Sequence, residues 1–201
     1  MILVDRQITS LCQPTSMDRV MGIKPMIEPF FTESIKTGLN GKRIPSYGLS
    51  SKGYDIRLSN VFREFAHSDV PVDVCQECEE SEYITTVVPE GESFILAPKS
   101  FVLGVSMEKF HMPPNVSGDC MGKSTIARMG CIVFVTPLEP EWSGYLTLEI
   151  FNTLDRPVRL WPGIGITQIM FDWSDEACET TYADRKGKYD NQPAVPVTFK
   201  L

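Results

Sequence analysis

Only two histidines, His67 and His111, occur in the 201 residues, and only one C-x-x-C, Cys75-Gln76-Glu77-Cys78, which lies among acids in a polar stretch. A structural zinc site takes about four ligands, and no second C-x-x-C completes one here, so this pair argues against zinc. The N-terminus, MILVDRQITSLCQP, has a short apolar start and an early acid, Asp5, and lacks the hydrophobic region of a secretory signal. The default expectation is therefore cytoplasmic, in a bacterium or, for a viral protein, its host. The six cysteines, at 12, 75, 78, 120, 131 and 178, are then expected as free thiols. No apolar run approaches membrane-spanning length. There is no excess of basic charge: the formal net charge is −7, which argues against a nucleic-acid or anionic-membrane surface. A small anionic ligand remains compatible, because a local Lys/Arg pocket can oppose the global sign. Internal repeats, a linker between two domains and long helical periodicity are also missing, so one domain over 1–201 is expected.

What is present is many short apolar stretches punctuated by 15 prolines and 14 glycines, the pattern of a mainly β chain built as a barrel or jelly roll with a few short helices. A short helix capped by Asp5 is expected to turn Ile8 and Leu11 to the core. Residues 12–26 read as irregular, Met26 to Phe31 as a strand interrupted at Pro29, and 32–45, with Gly38, Gly41 and Pro45, as loop. Further strands are expected at Tyr54–Leu58 (continuing toward Phe65), Tyr83–Val88, Ser93–Leu96, Phe101–Met107, Arg156–Leu160 and Gly165–Phe171. Residues 66–82 read as an exposed acidic excursion, and the polar tail from about residue 174 as a solvated end.

One stretch, Gly122 to Asn152, carries the chemistry. It opens on a polar turn, Gly122-Lys123-Ser124-Thr125, entering a helical piece that ends near Arg128. Strands follow at Cys131–Thr136 and Tyr145–Asn152, joined by a Pro-broken loop, Pro137–Gly144. In the second strand Leu146, Leu148 and Ile150 share one face, and Tyr145, Thr147, Glu149 and Phe151 the other. Glutamate is depleted in strands. Glu149 is either part of a solvated outer face or a carboxylate in a partly apolar pocket, whose raised pKa would let it shuttle protons near neutrality. The strand alone leaves both open. Lys123, Ser124, Thr125 and Arg128 supply two cations, two hydroxyls and N–H groups suited to an anion such as phosphate. Ser124 as a plain helix cap would explain the serine but not the cluster. A P-loop is excluded, because the glycine it needs five residues before Gly122 is Ser117.

The ordered set Gly122-Lys123-Ser124-Thr125-x-Ala127-Arg128-x-Gly130, Val135-Thr136-Pro137, Glu139-Pro140-Glu141-Trp142-x-Gly144 and Leu148-Glu149-x-x-Asn152 resembles the dCTP deaminases of the trimeric dUTPase superfamily. Met26 to Phe30, Ser46-Tyr47-Gly48, Gly53 to Arg57 and the tail from Cys178 to Tyr189 fit as well, so the resemblance covers most of the chain. It implies a distorted jelly-roll-like β-barrel of the dUTPase type, a homotrimer with sites at subunit interfaces, and a tail that closes over the nucleotide. It also implies hydrolysis of dCTP, or of a C5-modified dCTP, to dUTP and ammonia.

The zinc-dependent route to that chemistry uses H-x-E and P-C-x-x-C, which this chain lacks, so a carboxylate must serve as base. The resemblance places the catalytic glutamate at Glu149, with Ser124 and Arg128 orienting water and stabilising charge. It assigns base recognition to Val135 and Thr136, a sugar contact to Glu139, and Trp142 to the same pocket. Phosphate contacts fall to Lys123, Ser124, Thr125, Tyr182, Lys188 and Gln192, with Gln168 as a further candidate. Lys123 stands where many relatives carry arginine, which loses a bidentate contact. Mg²⁺ would come with the triphosphate, held by phosphates and waters, so no protein metal ligand is expected. Feedback by dTTP is compatible. The rival readings are a plain or bifunctional dUTP diphosphatase and a non-catalytic nucleotide-binding regulator.

Overall fold

The structure is a computed structural model, and it describes residues 1–38 and 40–200. Its strands are β1 (Ile27–Glu28), β2 (Ile35–Thr37), β3 (Arg43–Ser50), β4 (Gly53–Arg57), β5 (Val61–Phe65), β6 (Tyr83–Val87), β7 (Phe94–Leu96), β8 (Phe101–His111), β9 (Val116–Gly122), β10 (Cys131–Phe134), β11 (Ser143–Asn152), β12 (Val158–Leu160) and β13 (Gly165–Trp173). The helices are α1 (Asp5–Cys12), α2 (Ser16–Val20) and α3 (Ser124–Ala127). One sheet runs β10-β11-β8-β5-β6, with β1 added against β8; a second runs β2-β3-β4-β13-β9; β7 and β12 form a pair. All of these pairings are antiparallel. This is the mainly β architecture that the strand pattern implied, in the distorted jelly-roll-like form that the resemblance implied.

The period-2 patterns place the core. β11 alternates half-buried and buried residues along its whole length, with Leu146, Leu148 and Ile150 inward. They meet Val102, Val133, Ile166, Ile169 and Phe171 in one apolar cluster, where Phe62 stacks on Phe94 at 4.3 Å between ring centroids. Two buried polar side chains fix the ends of the central strands. Asn152, fully buried, donates from Nδ2 to Ala97 O (2.8 Å) and Arg156 O (2.9 Å), and its Oδ1 accepts from Leu154 N (3.0 Å), anchoring the end of β11. Glu108, also fully buried, accepts from Arg57 N (2.9 Å) and Arg57 Nε (2.7 Å), tying β8 to β4. The Arg57 guanidinium lies over the rings of Phe31 and Tyr47 at 4.6 and 5.0 Å. Burial pushes the Glu108 carboxyl up, and the arginine opposes that shift.

Several boundaries differ from the sequence reading. Asp5 lies in the first turn of α1 rather than capping it; the cap is Val4, whose N–H donates to Gln7 Oε1 at 3.1 Å. Ile8 is buried as expected. Residues 12–26 hold α2, whose five residues are too few to show a periodicity, although Thr15 and Asp18 cap it reciprocally. Residues 32–45 contain β2 and the start of β3; Pro45 falls where their register shifts, so its missing N–H breaks no regular ladder bond. Leu39, within that expected loop, lies outside the described residues. β1 stops at Glu28, before Pro29. β8 runs four residues past Met107, to His111. β9, rich in small and polar residues, was not anticipated; pairing with β13 from Thr167↔Gly122 to Trp173↔Val116 makes it a strand. β10 ends at Phe134, short of Thr136, and β11 begins two residues early, at Ser143. Residues 67–77 are exposed throughout, as expected of the acidic excursion, and all six cysteines are free.

Candidate functional site

β10 and β11 form the floor of the site. In register Phe134 lies opposite Glu149, and Leu103 of β8 flanks Glu149 on the other side. The ladder ends at Phe134, and Pro137, which has no N–H to donate, does not resume it. The loop is held by Leu138, which is buried and exchanges backbone hydrogen bonds with Gly118 of β9 (2.7 and 2.9 Å). It returns through a turn closed by Trp142 N donating to Glu139 O at 3.2 Å.

Above this floor is a cavity of about 470 Å³ that brings together Val135, Thr136, Glu139, Trp142, Glu149, Tyr182 and Gln192. Phe65, Tyr83, Phe101, Leu103 and Phe134 make one side apolar. Glu149 is half-buried among them, and that desolvation raises its pKa above the ordinary carboxylate range. The outward face of β11 is therefore the wall of a pocket rather than a wholly solvated surface.

The tail does not run free into solvent. Trp142 Nε1 donates to Tyr189 O (2.8 Å), Asn191 N to Ser143 O (2.8 Å), Tyr145 N to Gln192 O (3.1 Å), and Val197 N to Thr147 Oγ1 (3.0 Å). Thr147 Oγ1 donates in turn to Gln192 Oε1 at 3.2 Å. Two glycines permit these close approaches. At Gly144, with φ +145°, a Cβ would lie 2.6 Å from Gln192 N; at Gly187 it would meet the Tyr182 ring at 2.2 Å. Tyr182, Tyr189, Gln192 and Val197 thus form the roof of the cavity.

The other expected residues lie elsewhere in the same chain. Lys123 occupies the capping position of α3, so Ser124 is not the cap. Arg128 N donates to Ser124 O at 3.0 Å, which puts the two residues one helical turn apart. Ser124, Thr125 and Arg128 are exposed and do not line the Glu149 cavity. Lys123 borders a second cleft of about 380 Å³, and Phe134 and Val135 form the wall shared by the two. Gln168 sits on β13, opposite Asp55 of β4 and Met121 of β9, away from the cavity. Lys188 is exposed and donates to Lys200 O at 3.5 Å. The Glu139 carboxylate accepts from Arg185.

Sequence reasoning did not single out Thr147 or Tyr189 as site residues, nor the aromatic wall, nor the ion pair of Asp55 with Lys123. Asp55 carried the same signal as Glu149, an acid between apolar neighbours in a short strand. The aromatic wall comes from β5, β6 and β8, and no local pattern marks those strands as neighbours of Glu149. Among the described residues no group of three or more His, Cys, Asp and Glu is placed to hold a metal ion, and no helix is long and apolar enough to cross a membrane.

The antiparallel β architecture and a cavity that holds a desolvated carboxylate, roofed by the chain's own C-terminal segment, define the class: a mainly β protein with a tail-covered pocket. Residues 25–173 match the family model described as dCTP deaminase-like. A dCTP deaminase of Acidobacterium capsulatum is 45% identical over 177 residues, 88% of this chain and 92% of that relative. One from Neisseria meningitidis is 46% identical over 170 residues, 85% of this chain and 88% of that relative. The chain belongs to the dCTP deaminase family. Its fold is that of the 2′-deoxycytidine 5′-triphosphate deaminase from Agrobacterium tumefaciens, with a TM-score of 0.60 at 16% identity; the match covers 86% of this chain and 46% of that one.

Proposed function

We propose that this chain, acting as one unit, is a hydrolase that converts dCTP and water to dUTP and ammonia without zinc. The observation that carries the reading is Glu149, half-buried between Phe134 and Leu103 at the floor of a cavity that also holds Thr136 and Trp142. In this reading Glu149 takes a proton from water as its oxygen attacks C4. That proton is relayed to N3, where it stays in the uracil product. The remaining proton, on the new C4 hydroxyl, passes to the amine as the tetrahedral intermediate collapses, so that the C4–N bond breaks, ammonia leaves and the C4 carbonyl forms. Base help of this kind contributes about 10²–10⁴-fold. Val135 and Thr136 recognise the base edge, and Trp142 packs beside them. Glu139 meets the sugar once Arg185 releases it. Tyr182, Lys188 and Gln192 of the tail close on the phosphates.

Ser124 and Arg128 lie outside the Glu149 cavity of their own chain. A homotrimer with sites between subunits would let a neighbouring copy supply them, together with Lys123 and Thr125, and Gln168 would serve the phosphates from that side. Mg²⁺ enters with the substrate, as its triphosphate complex. A dTTP molecule would satisfy the same phosphate contacts and act as a feedback inhibitor, and a C5 substituent on cytosine would face the Val135–Pro137 segment. A cytoplasmic location suits an enzyme of nucleotide pools.

Incubation with dCTP and Mg²⁺ after treatment with a zinc chelator, followed by product separation, tests the reading. The expected products are dUTP and ammonia. Release of dUMP and pyrophosphate would show the bifunctional alternative, and dUTP cleavage without dCTP turnover a plain diphosphatase. Binding of dCTP without turnover would point to a regulator.

A further inference from the structure

Asp55 on β4 is 5% exposed and is joined to two residues from other parts of the chain. Its Oδ2 accepts from Ser46 Oγ of β3 at 3.2 Å and from the Lys123 ammonium just before α3. Lys123 Nζ also donates to Ser46 Oγ at 3.2 Å, which closes a triangle across two strands and a turn. The Lys123 side chain is only 12% exposed, although it borders the second cleft. Oδ1 of Asp55 is buried and finds no donor among the described residues.

A lysine ammonium has three N–H donors on a flexible four-carbon stem. Asp55 and Ser46 engage two of them. The third is left for a ligand, and the stem has already lost the rotamer freedom that it would otherwise lose on binding. The price in charge is that the pair is close to neutral, so Lys123 acts as a directed donor more than as a free cation. A ligand atom that suits one directed, charge-assisted N–H is a phosphate oxygen.

We propose that Asp55 is a positioning residue: with Ser46 it fixes the Lys123 ammonium so that its remaining N–H meets a phosphate oxygen of the bound nucleotide. The inference deepens the nucleotide reading above and rests on it. Asp55 touches no substrate, and its whole effect passes through Lys123.

The test is a double-mutant cycle on the full-length protein, with KM and kcat for dCTP measured for wild type, Asp55→Asn, Lys123→Met and the double variant. Melting temperature is recorded for each. Asp55→Asn is expected to raise KM about tenfold while kcat stays within about threefold, since binding and not the chemical step is lost. The double variant is expected to be no worse than Lys123→Met alone, because both changes remove one function. A KM within about twofold of wild type in Asp55→Asn, or independent effects that multiply in the double variant, would overturn the proposal. If Asp55→Asn does not fold, Ser46→Ala reads the same grip: a KM rise of about threefold supports it and an unchanged KM overturns it. Wild-type protein that neither turns over nor binds dCTP overturns the nucleotide reading and this inference with it. Wild-type turnover with an unresponsive Asp55→Asn overturns the inference alone.

Discussion

Glu149 on β11 faces Phe134 of β10 across the ladder, and Leu103 of β8 lies on its other side. The carboxylate is thus held in strand register between two apolar side chains, which explains its raised pKa without any neighbouring charge. Replacing Glu149 by Gln keeps the shape and removes the basicity. Turnover of dCTP is expected to fall by about 10²–10⁴-fold while dCTP binding measured by calorimetry is retained. Turnover near the wild-type level would rule out the role. In the wild type the acid limb of the kcat–pH profile is expected above the ordinary glutamate value of about 4.3, because the base must be ionised and its pKa is raised.

The same shift has a consequence for stability. A carboxyl whose folded pKa is raised binds more protons in the folded than in the unfolded state between the two pKa values. Stability is therefore complete below the unfolded value and declines as pH rises through the folded one. Glu149→Gln removes that decline. Thermal melts should show the variant more stable than wild type at neutral pH, with the gap closing below about pH 4. A gap independent of pH would mean that the gain arises from something other than ionisation.

Gly144 and Gln192 control the roof. A Cβ at position 144 has no room beside Gln192 N, and the positive φ disfavours any side chain there. Gly144→Ala should loosen the tail, raise KM for dCTP about tenfold and speed proteolysis after Tyr182, with kcat reduced less. Removal of the tail from Tyr182 onward should give a larger rise in KM. An unchanged KM in the truncated protein would show that the tail takes no part in holding the substrate.

Glu108, fully buried, and Arg57, largely buried, form a pair that joins the two sheets. Glu108→Ala leaves the guanidinium and a backbone N–H without their acceptor, and should cost about 3–5 kcal/mol in denaturant unfolding. Replacement of both residues by apolar side chains of similar volume is expected to recover much of that loss, because the desolvation of two charges disappears as well.

Local pattern made much of this protein legible. Alternation along Tyr145–Asn152 identified the inward face and put an acid, Glu149, on the opposite one. Proline and glycine placed most of the turns. The failures have a common cause. After Val116 the inward positions of β9 hold only the small Gly118 and Cys120, β2 is three residues long, and β3 carries Pro45 and Gly48; each is a strand because a partner offers backbone N–H and C=O groups across space. The helix α2 is held by its capping residues rather than by an apolar stripe.

Sequence alone determined the mainly β class, the candidate base, and the polar cluster from Lys123 to Arg128, since these depend on residue type and short spacing. Tertiary structure decided what surrounds them. It brought β5, β6 and β8 to the side of Glu149, laid the tail along the start of β11, and tied Lys123 to Asp55 from 68 residues away. It also separated Ser124 and Arg128 from the cavity of their own chain. Desolvation, ion pairing and enclosure arise from contacts between residues distant in sequence, and no local spacing encodes those distances.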